Sequence, residues 1–352
     1  MNALAAEATK PSPPTVGGSD GPVAAGLGPV RWLGALWRRR WVRFAVLRGG
    51  RLLVSLWVLV TAAFLMIHLV PGDPVRAALG LTASAEVVEA RREALGLNLP
   101  LGQQYLNFLH GVLTGDLGAS IGSRLPVGQI IAQRLPATAS LAGLAFLVAV
   151  AVAFPLGVAV AVATRGGRRR KTELSFATSS VVLGSIPDFL FGVALVSVFA
   201  VGLHLLPVAG RGGAATYILP VLSLSLGPAA ILARIVRVEM LSVLETDYVR
   251  TARAKRLPRR RVYLHHALPN AVTASLTVGG LMLSSMVAST VLVESVFAWP
   301  GLGSTIVSAI LTKDYPLAQG VVLVYGVGVL LVNTAVDVAL ALLDPRSTVG
   351  VS

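Results

Sequence analysis

"DYVRTARAKRLPRRRVYLHHALPNA", residues 247–271, is dense in Arg and is bounded on both sides by strongly apolar sequence. Its reading decides the fold. On a soluble surface, such a stretch would be one solvated face among many. Here the whole chain is 55% hydrophobic and only 13% charged, with a mean hydropathy of +0.76. That balance is too poor in charge for an ordinary soluble domain and places the chain among membrane proteins. The net charge of +14 would suit nucleic acid if it were spread over a surface. Instead the charges stand in a few blocks beside apolar runs, as the cytoplasmic flanks of membrane spans do. No nucleic-acid partner is expected; the membrane lipid is. With no Cys, disulfides and thiolate chemistry are excluded.

A spanning helix needs about 20 apolar residues. Six runs qualify: Leu52–Val70, Pro136–Thr164, Leu174–Leu203, Tyr217–Val238, Asn270–Phe297 and Leu317–Leu343. The first is too long for a signal-peptide core and lacks a small-residue cleavage site, so it reads as a retained anchor. Alternate loops are basic. "RGGRRRK" (165–171) joins spans two and three, and 234–261 carries nine Lys or Arg against three acids. The intervening loops are balanced: 71–135 has five basic and five acidic residues. The positive-inside rule then puts both termini in the cytoplasm. The expected fold is an all-α polytopic membrane protein with six transmembrane helices and a small extracytoplasmic helical cap after the first span.

Residues 1–30 are rich in Pro, Gly, Ala and Ser and read as a disordered cytoplasmic tail. Residues 31–51 hold seven Arg, three Trp and no acid, which suits a basic interfacial segment. The transmembrane domain is expected over 52–346, with the cap at 71–135 and a cytoplasmic loop at 239–269. Within the cap, Ser84 and Gly96 bracket one helix. Pro100 and Gly115 bracket a second, with Pro100 in the first turn.

Within the basic loop, Tyr248–Arg256 contains good helix formers, with Ala252 and Ala254 among them. Pro258 restricts Leu257 and should stop that helix. A second short helix from Arg259 to Leu268 would precede Pro269. The bland reading is a solvated, positive-inside connection, which accounts for the charge. The sharper reading is a docking element, whose small residues let another surface come close. The residues alone do not choose between them.

The loop resembles the cytoplasmic coupling loop of ABC importer permeases. That family's pattern is Glu-Ala-Ala, three residues, Gly, nine residues, then Ile-x-Leu-Pro. Arg250, Thr251 and Ala252 fall on the triplet, Arg256 on the Gly, and His266, Leu268 and Pro269 on the Ile, Leu and Pro. The dipeptide/oligopeptide/nickel subfamily is closer still, with a typical "DYVRTARAKGL" followed by "HAL". "HLVPGDP", "ALGLNLPLGQQYLNFLHGVLTGDLGASI", "SIPDFLFGVAL", "VESVFAWPGLG" and "LVNTAVDVALALLDPR" also resemble that subfamily, so the likeness covers about residues 50–346. The resemblance implies a permease of an ATP-driven importer of short peptides in the bacterial inner membrane. It implies a second homologous permease, two cytoplasmic ATPase subunits and an extracytoplasmic solute-binding protein as partners. Tyr248, Arg250, Thr251, Ala252, Ala254, Arg256, Leu257, Leu268 and Pro269 would then couple to the ATPase. Arg256 departs from the pattern, because Gly is favoured where φ must be positive. Either the turn is rebuilt around Leu257–Pro258 or the first helix ends differently.

None of the four Lys (Lys10, Lys171, Lys255, Lys313) lies in a phosphate loop. No cofactor is expected in this chain; ATP and Mg belong on partner subunits. No enzymatic constellation stands out, and adjacent His265 and His266 lack metal-ligand spacing. Four polar residues lie within or beside spans. Asp188, after Pro187, reads either as a carboxylate facing a cavity or a partner, or as a cap on the turn after a kink. Asn333 and Asp337, four apart, share a helix face that lines an interface or holds a structural hydrogen bond. Glu294, near Trp299, would meet substrate or the binding protein, or sit at a solvated helix end. The rival readings keep the family with nickel chelates or other small solutes as cargo, or make the chain a passive channel or secondary carrier.

Overall fold

The computed structural model describes residues 29–69, 74–80, 83–94 and 96–343. Most of the predicted tail, part of the "HLVPGDP" motif and the end of the last motif lie outside them. The chain divides into two compact units, up to Gly49 and from Gly50 onward.

The described residues are helical almost throughout. In order they form α1 (Pro29–Leu69), α2 (Pro74–Leu79), α3 (Ala85–Ala94), α4 (Leu101–Thr114), α5 (Val127–Thr164) and α6 (Arg170–Ser185). Then come α7 (Asp188–Leu195), α8 (Ala214–Leu244), α9 (Asp247–Ala254), the single turn α10 (Arg259–Arg261), α11 (Leu268–Val296), α12 (Leu302–Leu311) and α13 (Tyr315–Leu343). Wider π-helical turns extend α7 to Gly202 and join α10 to α11. Residues 31–51 fall within the helical stretch of α1.

Among the described residues, five helical stretches are long and apolar enough to cross a membrane: Val46–Leu69, Val127–Gly167, Ala214–Leu244, Thr277–Val296 and Tyr315–Ala339. The expected third span is not one helix. It breaks between α6 and α7, which meet at 95°. The cause is local. Pro187 excludes the α conformation from the residue before it, and Ile186 is extended at φ −83°, ψ 125°. By contrast, α5 and α8 each continue through two prolines, at 136 and 155 and at 220 and 228. Neighbouring helices can re-satisfy the freed carbonyls there.

The short helices after α1 match their end signals closely. The Val87 amide donates to Ser84 Oγ at 3.4 Å, and α3 and α4 stop at Gly96 (φ +66°) and Gly115 (φ +78°). Pro100 stands just before α4 at φ −56°, ψ 143° rather than in its first turn. One element had no sequence signal. α12 is apolar but has only 10 residues, too few to cross a bilayer, and it packs among α5, α11 and α13.

The largest core joins α5, the extension of α7, α8 and α11 through Leu141, Ala200, Leu224 and Met286, with Phe297 and Trp299 just after α11. A second core lies beneath the basic loop. It unites Ala161 of α5, Met240 and Leu244 of α8, Val249 and Ala252 of α9, and Ala267 and Ala271 near the start of α11.

Candidate coupling segment and buried polar groups

Asp247 opens α9, where its charge suits the positive helix end. Arg250 Nη1 donates to Asp247 Oδ1 at 3.3 Å, and both side chains are exposed. The other end closes in a Schellman arrangement. The Arg256 amide donates to the Arg253 carbonyl at 2.9 Å, and the Leu257 amide to the Ala252 carbonyl at 3.3 Å. Arg256 itself sits at φ +56°. The turn is therefore not rebuilt around Leu257–Pro258. Arg occupies the left-handed position that Gly would fill at lower cost.

α9 has two faces. Val249 is fully buried and Ala252 is 8% exposed, both in the second core. Leu257 packs on that core as well. Tyr248, Arg250, Thr251, Ala254, Lys255 and Arg256 point outward. The two alanines thus do different things. Ala252 lets α9 settle on its own chain, and Ala254 keeps the outer face low. Arg253 lies between the faces, and its Nη2 is buried with no hydrogen-bond partner. Leu268 is half-buried and Pro269 exposed at the start of α11.

The platform beneath is tied by charge. Arg237 of α8 donates through Nη2 to Glu173 Oε1 of α6 at 2.6 Å. Its guanidinium also donates to Thr164 Oγ1 of α5, at 3.2 and 3.3 Å. α5, α6 and α8 are joined at the end that carries α9.

The membrane-depth polar residues fall in separate environments. Asp188 is the first residue of α7, and no side chain caps that helix, so the capping reading fails. Its carbonyl accepts from Ser223 Oγ at 2.6 Å. Its side chain lines a cleft with Ser185 and Ser289. Glu294 is completely buried, which overturns the solvated-end reading and removes it from any open path. Oε1 accepts from Thr138 Oγ1 at 2.6 Å, and Oε2 accepts from the Ser304 amide at 3.1 Å. The Leu302 amide donates to Thr138 Oγ1 at 2.8 Å. Glu294 thereby holds the start of α12 against α5. Asn333 Oδ1 accepts from Ser284 Oγ at 2.7 Å, joining α13 to α11. Asp337 lies one turn further along α13. Among the described residues, no group of His, Cys, Asp and Glu could hold a metal.

Residues 153–349 match the family model "Binding-protein-dependent transport system inner membrane component", and residues 41–142 match the model of its N-terminal part. The Glutathione transport system permease protein GsiC of Pectobacterium atrosepticum is 38% identical over 294 residues, covering 84% of this chain and 95% of that one. The Escherichia coli K12 protein of the same name is 36% identical over 304 residues, covering 86% and 98%.

The chain belongs to the ABC importer permease family of the dipeptide/oligopeptide type.

The solved structure of the MetNI methionine ABC transporter in an inward-facing conformation shares the fold, with a TM-score of 0.53. It covers 61% of this permease and 97% of the compared chain at 18% identity. The permease is a multi-pass inner-membrane transport subunit, not an enzyme. Its family implies a partner permease and ATPase subunits.

One buried acid of the permease escaped the sequence reading. Asp314, between α12 and α13, is 4% exposed. It accepts from the Ser120 hydroxyl and from the Ile121 and Gly122 amides at 3.0 and 3.2 Å. It thus pins the turn before α5 to the start of α13. These partners lie more than 190 residues away and leave no local trace; only the Leu317 amide, donating to Oδ1 at 3.4 Å, marks Asp314 locally, as a cap of α13. The inward face of α9 was not read either: Ala252 was expected at the docking surface, and the structure buries it with Val249, three residues away, in the chain's own core.

Proposed function

We propose that this permease, with a second one, forms the membrane path of an importer for short peptides, and that the outward face of α9 seats an ATPase subunit. The observation that carries the docking reading is the division of α9. One face is buried in the chain's own core, and the other presents Tyr248, Thr251 and Ala254 beside Arg250 and Lys255. A low, basic surface accepts the carbonyl end or carboxylates of a partner helix. The buried, unpartnered Nη2 of Arg253 also fits an interface, because an orphan donor gains when a partner brings an acceptor.

The seat beneath α9 is built from the ends of α5, α8 and α11. A push on α9 is passed to three membrane helices at once. ATP and Mg bind the ATPase subunits, whose closure would move this seat and open the path to the other side. A solute-binding protein would deliver cargo there, above the cap of residues 71–135. The bias of positive charge to alternate loops supports a cytoplasmic α9 and cytoplasmic termini.

The glutathione relatives favour a peptide-like cargo of two or three residues, because glutathione is itself a tripeptide. Mild-detergent capture of the tagged chain should bring a second permease and phosphate-loop ATPases. Cells lacking the chain should lose uptake of labelled di- and tripeptides. Recovery of an active chain alone would move the reading to a channel or secondary carrier. Loss of nickel-chelate uptake alone would keep the family and change the cargo.

A further inference from the structure

A cleft of about 350 Å³ opens where α6 breaks into α7, walled by α8 and α11. The Asp188 carboxylate lines it, with the Ser289 hydroxyl as a polar neighbour. Among the described residues no Lys, Arg or His pairs with Asp188. A carboxylate inside a membrane span without a counter-ion is costly and marks a water-filled cavity or a ligand path.

A second acceptor, the Leu183 carbonyl oxygen, lies beside this carboxylate. A methyl placed on Gly227 of α8 would stand 3.3 Å from Asp188 Oδ1 and 3.5 Å from the Leu183 carbonyl oxygen. The two oxygens therefore converge on one place. The carbonyls of the last turn of α6 lack helical partners because the helix ends there, and they form its negative pole. Ser185, on the same cleft, spends its hydroxyl proton on the Val181 carbonyl at 2.8 Å. Ile186, Phe189, Ile231 and Leu292 complete an apolar wall.

From this geometry we infer that the cleft is a recognition site for a primary ammonium group, the free amino terminus of a peptide, with the apolar wall taking the adjoining side chain. A carboxylate and a carbonyl oxygen converging on one place are acceptors for the donors of an ammonium. The volume lies in the range of small-ligand pockets. The inference rests on the reading that this chain lines a peptide path.

The chain has no cysteine, so Ser289→Cys introduces a single reactive thiol into the full chain, purified with whatever subunits accompany it. A cationic and an anionic methanethiosulfonate of similar size are then timed. The cationic reagent should react about ten-fold faster, as a focused negative site concentrates cations. Asp188→Asn should abolish that preference while leaving the rate of a neutral reagent unchanged. Alanyl-alanine amide should slow the cationic reagent, and its N-acetyl form should not. Equal rates for both charges, a preference that survives Asp188→Asn, or protection by sodium ions in place of the peptide overturns the inference. Ser285→Cys, lining the same cleft, repeats the measurement should Ser289→Cys fail to assemble. If no ATPase accompanies the chain, the importer reading fails, and the labelling rates still decide the cation site.

Discussion

The Leu257 amide donates to the Ala252 carbonyl at 3.3 Å, and this bond wraps the chain around Arg256 at φ +56°. The family's glycine turn is retained with an arginine in it. A non-glycine residue in that conformation costs roughly 1–2 kcal/mol. Arg256→Gly should raise the thermal midpoint of the purified chain, and Arg256→Val should lower it, since a β-branched residue fits that region worst. The side chain is exposed, so its charge is free to touch a partner. If ATPase recovery falls in Arg256→Gly while the midpoint rises, that contact is real. Unchanged recovery removes Arg256 from the interface.

The two alanines of α9 separate docking from folding. Ala254→Trp, on the exposed face, should cut ATPase co-purification at least ten-fold with little change in thermal stability. Ala252→Glu would force a carboxylate into the second core and cost several kcal/mol. Its loss of ATPase would then report a damaged seat. Comparing stability and recovery for both variants in one preparation distinguishes the two cases.

Glu294 supports a third expectation. Its carboxylate and Thr138 together satisfy the Leu302 and Ser304 amides. Glu294→Ala would strand buried donors, each worth about 1–3 kcal/mol. Denaturation in mild detergent should show a clear loss for Glu294→Ala and a smaller one for Glu294→Gln, which keeps an acceptor oxygen. Equal stability of all three proteins would contradict the network.

Helices α11 and α13 meet at Gly280. A Cβ there would come within 2.1 Å of Val336 Cγ1. Gly280→Ala should destabilise by about 1–3 kcal/mol through overpacking, and Val336→Ala should restore much of it. A double-mutant cycle on the unfolding midpoint measures the coupling. Strict additivity would mean that the helices do not touch there.

Much of this architecture was open to reading before any coordinates. Hydropathy alone locates five membrane helices, because burial in lipid demands long apolar runs. Pro187 marks a kink, but only the structure shows that the kink is a 95° break. It also shows that Asp188 faces a cleft and does not cap the next helix. α12 escaped because a 10-residue stretch with Ser and Thr among its apolar residues, following a Trp-Pro-Gly turn, looks like a loop. Glu294 was misplaced for a different reason. Its partner Thr138 is 156 residues away, and burial created by such a distant contact leaves no local trace. Arg256 was rightly suspected of strain, yet local rules could not tell a rebuilt turn from a strained one.

The most direct test of the docking claim uses the absence of native cysteine. Single cysteines at Thr251, Ala254 and Val249 would be cross-linked in native membranes with a short bifunctional thiol–amine reagent. Adducts with an ATPase subunit should form from Thr251→Cys and Ala254→Cys, which are exposed, and not from Val249→Cys, which is buried. Adducts from Val249→Cys alone, or no ATPase adduct from any position, would contradict the account.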